Sequence, residues 1–274
     1  MTSTATKATK GAVPVRDINP SRIQFSRPKK HEFGQLAYIN YGDKELRFAL
    51  PSMKIPWAAG ESKFDTKTVK SIDLCLNFEG MEGNPELREA YEKCCEIDSR
   101  LADLVVENKV ALYPKDAARN LPNDDFRRRY QNMVSHATDP NGAAYAPRIK
   151  IRLERENDNP QKITNRSKNP VFKDVQGNPV ELTADNVSQV LAKGEHVKTI
   201  IQAKYLFVSP ARTTVTWVLK QARKTSSVAD DDWDLDDDVP PQYPQADFRP
   251  PAELDPEELL GEDEEDEELR RAGI

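Results

Sequence analysis

Basic and aromatic residues are interleaved along the β-prone stretches of this chain. Arg47 sits beside Phe48, and Lys54 precedes Trp57 in the connector Ser-Met-Lys-Ile-Pro-Trp. Arg148, Lys150 and Arg152 alternate with Ile149, Ile151 and Leu153. Further on, Lys198, Lys204, Tyr205 and Phe207 share one run, and Arg212, Trp217 and Lys220 lie in or before the next. The chemistry open to such a mixture is non-covalent. Cations offset backbone phosphates, and flat rings stack on bases at about 1–3 kcal/mol per base whatever the sequence. The expected nucleic-acid contacts are therefore Arg47, Lys54, Trp57, Lys150, Arg152, Lys204, Tyr205, Arg212, Trp217 and Lys220.

Each aromatic also has a plainer use. Phe48, Phe78 and Phe207 suit a β-core better than a stacking platform, because buried rings dominate such cores. Trp217 fits either role. Trp57, after Pro56 and before Ala-Ala-Gly, has the setting of a loop and is the better stacking candidate. The basic strand faces would equally serve as solvated surface. Arg127-Arg128-Arg129 is either the wet face of a short helix or a phosphate contact.

Patterns that announce catalysis are missing. The chain has no phosphate-cradling Gly-x-x-x-x-Gly-Lys-Ser/Thr loop, no Gly-x-Gly-x-x-Gly, no His-Glu-x-x-His and no Gly-x-Ser-x-Gly. Asp124 and Asp125 are adjacent, so they point apart, and are expected to cap the helix that follows. Three cysteines (Cys75, Cys94, Cys95) form no Cys-x-x-Cys pair, and there are only three histidines. No metal, no cofactor and no enzymatic activity are expected, and the thiols suit a reducing, intracellular setting. No apolar run approaches the roughly 20 residues that cross a bilayer, so no membrane partner is expected.

The elements that must hold the basic and aromatic residues follow from periodicity. Leu36–Tyr41 and Leu46–Leu50 flank Gly42–Glu45 and predict a hairpin. Ser71–Phe78 alternates, with Ile72, Leu74, Leu76 and Phe78 on one face, and Ala146–Glu154 alternates likewise. Val197–Val208 and Thr213–Ala222, parted by Ser209–Arg212, predict a long hairpin; Val171–Val175 and Pro179–Leu182 predict a smaller one. One long helix begins after Asn84, with Pro85 in its first turn and apolar residues every three or four positions through Val105. Glu89–Lys93 and Glu96–Arg100 are spaced as i,i+4 pairs. Shorter helices are predicted over Asp124–Ser135 and Ala184–Ala192. Strands, a long helix, then more strands predict a mainly β fold with inserted helices, an OB-fold-like β-barrel; pattern alone also admits a generic α+β sheet.

Charge divides the chain more sharply than its formal net of -6 suggests. Residues 225–274 carry 19 acids against 3 arginines, a net of -16, while residues 1–224 carry 37 bases against 27 acids, a net of +10. The expected organisation is a flexible basic arm over 1–19, a nucleic-acid-binding domain over 20–224 and a disordered acidic tail over 225–274. The tail scatters Trp233, Leu235, Tyr243, Phe248, Leu259 and Leu260 among its acids. A polyanion with apolar anchors can compete with nucleic acid for a basic groove and dock on partner proteins.

Several stretches together resemble the single-stranded DNA-binding proteins of nucleocytoplasmic large DNA viruses, related to those of short-tailed phages. They are Asn178–Leu182, Leu191–Gln202, Ala203–Val208 with its aromatics, Thr214–Gln221, the strand Ala146–Leu153, and the early Tyr41-Gly42 with Met53–Trp57. The resemblance implies an OB-fold that coats single strands at a viral replication site in host cytoplasm or nucleus, with the acidic tail contacting replication proteins. Two departures stand out. The phage tails end in an aromatic residue, whereas this chain ends Arg270-Arg271-Ala272-Gly273-Ile274, which shifts expected partner binding to Trp233 and Phe248. The last hairpin, Ser209–Arg212, also lacks the glycine expected there.

The leading expectation is thus a sequence-tolerant single-stranded DNA-binding protein for viral replication, recombination or repair. The alternative is a structural or scaffolding virion protein, or a chaperone whose acidic tail holds basic partners. Oligomeric state, homo-oligomers included, is left open.

Overall fold

The computed structural model describes residues 12–62, 70–138, 142, 144–165 and 171–225. All belong to one compact unit, Met1–Asp237. Expectations for residues 1–11 and 226–274, including Trp233 and Phe248, lie outside the described residues.

Five strands carry the architecture: β1 (Arg47–Lys54), β2 (Ile72–Asn77), β3 (Arg148–Arg155), β4 (His196–Val208) and β5 (Thr213–Thr225). β1 meets β2 antiparallel at Lys54/Asn77, and β2 runs antiparallel to β3 from Asn77/Arg148 to Ile72/Leu153. β3 then pairs in parallel with β5 at Arg152/Val218. β5 is antiparallel to β4, and β4 returns antiparallel to β1. The ring β1-β2-β3-β5-β4 therefore closes on itself, with short strands added along the stretches its own pairings leave open. A closed five-stranded barrel of this kind is OB-like, and the mainly β expectation holds.

The interior follows from period-2 alternation. Ile72, Leu74 and Leu76 of β2 and Ile149, Ile151 and Leu153 of β3 are all buried, as their spacing predicts. Phe48 of β1 packs on Trp217 of β5 with ring centroids 5.6 Å apart.

The long helix α1 (Pro85–Glu107) is inserted between β2 and β3. Asn84 caps it, its side-chain oxygen accepting from the Leu87 N–H at 3.2 Å. Its buried face, Leu87, Ala90, Cys94, Ile97, Leu101 and Val105, packs on β1 and on the 3-10 turn Val15–Asp17. The wet-face ion pairs differ from the predicted i,i+4 set: Lys93 reaches Glu96 at 2.5 Å and Arg100 reaches Glu107 at 2.6 Å.

Three further boundaries are corrected. The predicted helix Asp124–Ser135 ends early, as α2 (Asn123–Arg129), because Tyr130–Gln131 and Val134–Ser135 are taken into the sheet by β5 and β3. Asp124 and Asp125 lie in its first turn but make no side-chain cap. The predicted helix Ala184–Ala192 contracts to Val187–Val190. The folded domain also begins before residue 20. Val13–Pro14 pairs in parallel with Phe48 and Ala49, and the following turn places Val15 and Ile18, three residues apart, in the core.

Outside the ring, the first predicted hairpin is tighter than expected. Ile39–Tyr41 pairs with Lys44–Glu45, two residues read as its turn, around Gly42 at φ 63°, while Arg47–Leu50 belongs to β1 and pairs with β4 instead. A second hairpin, Lys29–His31 with Gly34–Ala37, adds to the sheet beyond β4. Phe172–Lys173 pairs with Pro179–Val180, as predicted. Among the described residues, no helix is long and apolar enough to cross a membrane.

Candidate nucleic-acid interface

Residues directly opposite in a sheet share a face, so the register sorts the expected contacts into rows on the barrel's outer surface. The first row joins Lys54, Asn77, Arg148 and Ser135 across β1, β2, β3 and the adjoining Val134–Ser135. Trp57 stands beside it in the β1–β2 connector, 49% exposed, with the Arg148 guanidinium 5.1 Å from its ring centroid. Arg148 shares this row although only Lys150 and Arg152 of its strand were expected contacts. Its signal was present in sequence, since it alternates with Lys150 and Arg152. Tyr145, 54% exposed and three residues before Arg148, had no such signal, because it precedes the strand and carries no periodicity.

The next rows continue along β3. Lys150 lies opposite Cys75, and its ammonium is 2.7 Å from the Asp73 carboxylate. Burial pushes the Cys75 thiol up to about 11, against the pull of Arg148 and Lys150. Arg152 lies opposite Asp73 on one side and Val218 on the other, and that row runs on through Gln202 to Arg47. Arg47, partly buried, therefore shares a row with Arg152 although more than a hundred residues separate them.

Beyond Arg152 the face changes character. Glu154 is buried, with Lys204 Nζ at 2.6 Å from one carboxylate oxygen and Lys220 Nζ at 3.0 Å from the other. Burial alone raises this carboxyl, but the two ammonium groups more than offset it and hold it below the usual carboxylate range. Lys204 reaches this point because the β4–β5 register shifts between Ala203 and Tyr205. A bulge re-aims side chains, and here Lys204 and Tyr205 are both partly exposed between buried Ala203 and Leu206. Lys204 Nζ also sits 5.8 Å from the Tyr205 ring centroid.

The structure thus gathers Trp57, Lys150, Arg152, Lys204, Tyr205, Lys220 and Arg47 on the barrel exterior, with Lys54 at its β1–β2 end. Lys54 is tied to Glu79 at 2.9 Å, and that hydrogen bond, with one from Asn77, keeps the Glu79 carboxyl low. Arg212 is exposed in the β4–β5 loop. That loop closes without glycine because the Ser209 N–H donates to the Arg212 carbonyl at 2.9 Å while the Ser209 hydroxyl accepts from the Arg212 N–H at 3.2 Å. None of its residues adopts a positive φ.

One expected contact is overturned. Trp217 is 4% exposed and lies against Phe48 inside the ring, so it has no face to offer a base. The inward parity it shares with Val215 and Leu219 decided the matter. The arginine triplet is resolved as well. Arg127 pairs with Asp103, and Arg129 lies 2.6 Å from Asp116 and over the rings of Tyr113 and Phe126, while Arg128 remains exposed. Two of the three are structural.

Cationic residues on this exterior are interrupted by two carboxylates, Asp73 and Glu154, which sequence periodicity did not mark as part of the site. Their effect is to hold the long basic side chains in place in the free protein, at the expense of charge available to a ligand.

No protein-family model matches the chain, and no curated protein matches it. Among solved structures, the single-stranded DNA-binding protein from bacteriophage Enc34, in complex with ssDNA, aligns at 10% identity with a TM-score of 0.39, over 75% of this chain and 96% of that one. The gp2.5 single-stranded DNA-binding protein encoded by bacteriophage T7 aligns at 11% identity with a TM-score of 0.36, over 68% of this chain and 97% of that one. Overlap of that quality does not assign a fold or a role; the closed ring of pairings assigns the fold, and the chain is a mainly β barrel protein with an inserted helix.

Proposed function

We propose that this chain is a sequence-tolerant single-stranded DNA-binding protein that serves DNA replication, recombination or repair, in a viral setting as its sequence resemblance implies. One observation carries the reading: an exposed Trp57 beside Arg148, Lys150 and Arg152, which occupy alternate outward positions of β3. Barrels of the OB type take oligonucleotides on the face of their second and third strands and on the loops after the first and fourth. Trp57 belongs to the first of those loops, the cations to that face, and Arg212 to the other loop. Stacking on the indole and neutralisation by the β3 cations bind a strand by features that every nucleotide has. The acidic tail, which begins after Thr225 at the end of β5 and runs over residues 226–274, competes for the same cations and docks replication partners through Trp233 and Phe248.

Titration of labelled single-stranded and double-stranded oligonucleotides at graded salt tests this. Single strands are expected to bind more tightly, with log affinity falling against log salt at a slope of about -3.5 for about five neutralised phosphates. Equal affinity for duplex, or a flat salt response, overturns the reading. A protein that ignores oligonucleotides but binds basic partners is instead the scaffold or chaperone.

A further inference from the structure

Beyond β4 the edge hairpin Lys29–His31/Gly34–Ala37 continues the outer surface of the barrel. Lys29 lies opposite Leu36, Leu36 opposite Phe207, Phe207 opposite Thr214, and Thr214 opposite Gln131. By parity this row shares its face with Tyr205, two residues from Phe207 on the same strand. The His31 ring meets Phe207 edge-on at 6.0 Å and lies 6.2 Å from Phe33, which is 69% exposed at the hairpin tip. The hairpin is built tightly onto β4: a Cβ on Gly34 would stand 2.0 Å from the Val208 carbonyl oxygen, so only glycine lets the two backbones approach. Phe33, in the turn between the two edge strands and next to the strand that bears Lys29 and Lys30, turns its ring to solvent beside the His31 imidazole.

We infer that this hairpin is a second nucleotide subsite, in which Phe33 and His31 stack bases and Lys29 meets a phosphate of a strand already engaged by the barrel. The inference rests on the single-strand reading above and adds to it a length: the strand crosses β5 and β4 and ends on the edge hairpin. The spacing supports it, since four strand steps from β3 to the hairpin edge, at about 4.8 Å each, make a path of about 19 Å. OB barrels have site sizes of about 4 to 16 nucleotides, so a short oligonucleotide occupies the barrel alone and a long one reaches the hairpin.

The test is a titration of the full chain and its Phe33→Ala variant with oligothymidylates of about 4 and about 16 nucleotides. With one stacked base lost, the variant is expected to bind the long oligonucleotide about tenfold more weakly and the short one as the wild type does. Lys29→Ala is expected to reduce the magnitude of the salt slope by about 0.7 for the long oligonucleotide only. Unchanged binding of the long oligonucleotide by Phe33→Ala overturns the subsite while leaving the barrel site standing, as does an equal loss for both lengths. If the wild-type chain binds neither length, the single-strand reading itself fails. Thermal denaturation of the variant checks that folding is intact, which the exposure of Phe33 leads us to expect.

Discussion

Two tryptophans, both expected to stack on bases, have opposite fates. Trp57 stands in a loop with half its surface in solvent, while Trp217 fills the barrel against Phe48. Trp57→Ala is expected to weaken oligonucleotide affinity about tenfold, from the loss of one stacked base, without moving the melting temperature. Trp217→Ala is expected to remove about 3–5 kcal/mol of stability, because it leaves a cavity, and urea unfolding of the two variants side by side separates the roles. Asp73 is the other informative residue. It sits 2.7 Å from Lys150 and 4.0 Å from Arg152, so a bound phosphate must compete with it. Asp73→Asn is expected to tighten single-strand binding and steepen its salt dependence; weaker binding would mean that the carboxylate positions the cations rather than competing for them.

At the scale of elements, the barrel holds its outer face together with carboxylates. Glu154 of β3 joins Lys204 of β4 and Lys220 of β5, the three strands that meet on that side of the ring. Its folded pKa lies below the ordinary value of 4.5, so its contribution to stability is present above about pH 4.5 and is lost as pH falls through the lowered value. Glu154→Gln is therefore expected to be less stable than the wild type at pH 7, with the two unfolding free energies converging as acid is added; a constant gap down to pH 3 would assign the loss to packing. Asp98 of α1 behaves with the opposite sign. Burial raises it, although it accepts from Val134 N–H at 3.0 Å, Met133 N–H at 2.7 Å and Tyr130 O–H at 2.9 Å. Those three bonds tie α1 to the segment that pairs with β5 at Tyr130–Gln131 and with β3 at Val134–Ser135. The helix thereby positions the strand ends from which Arg148 projects.

Across the whole molecule the largest electrostatic contrast is between the +10 of residues 1–224 and the -16 of residues 225–274. A tethered polyanion is present at a high effective concentration, and its attraction to a basic surface is screened by salt. Removing residues 226–274 is expected to tighten single-strand binding most at low salt, with the difference shrinking as ionic strength rises. Fluorescence titration of the two chains at 50 and 300 mM salt measures it, and unchanged or weaker binding by the shortened chain would remove the tail from the competition.

Much of the scaffold was legible because its signals are local. Alternation along Ile72–Leu76 and Arg148–Leu153 assigns inward and outward faces within a few residues, since the period of a strand is set by its own backbone. Asn84, Pro85 and the three-to-four spacing that follows determine α1 in the same way. Charge segregation is equally a property of the sequence. What only the tertiary structure decided is which outward residues meet. Glu154 reaches lysines 50 and 66 positions away, Arg47 joins the row of Arg152, and the edge hairpin aligns with Phe207. Those neighbours are set by ring closure and by a register shift at Lys204, and both are long-range pairings that no local period encodes.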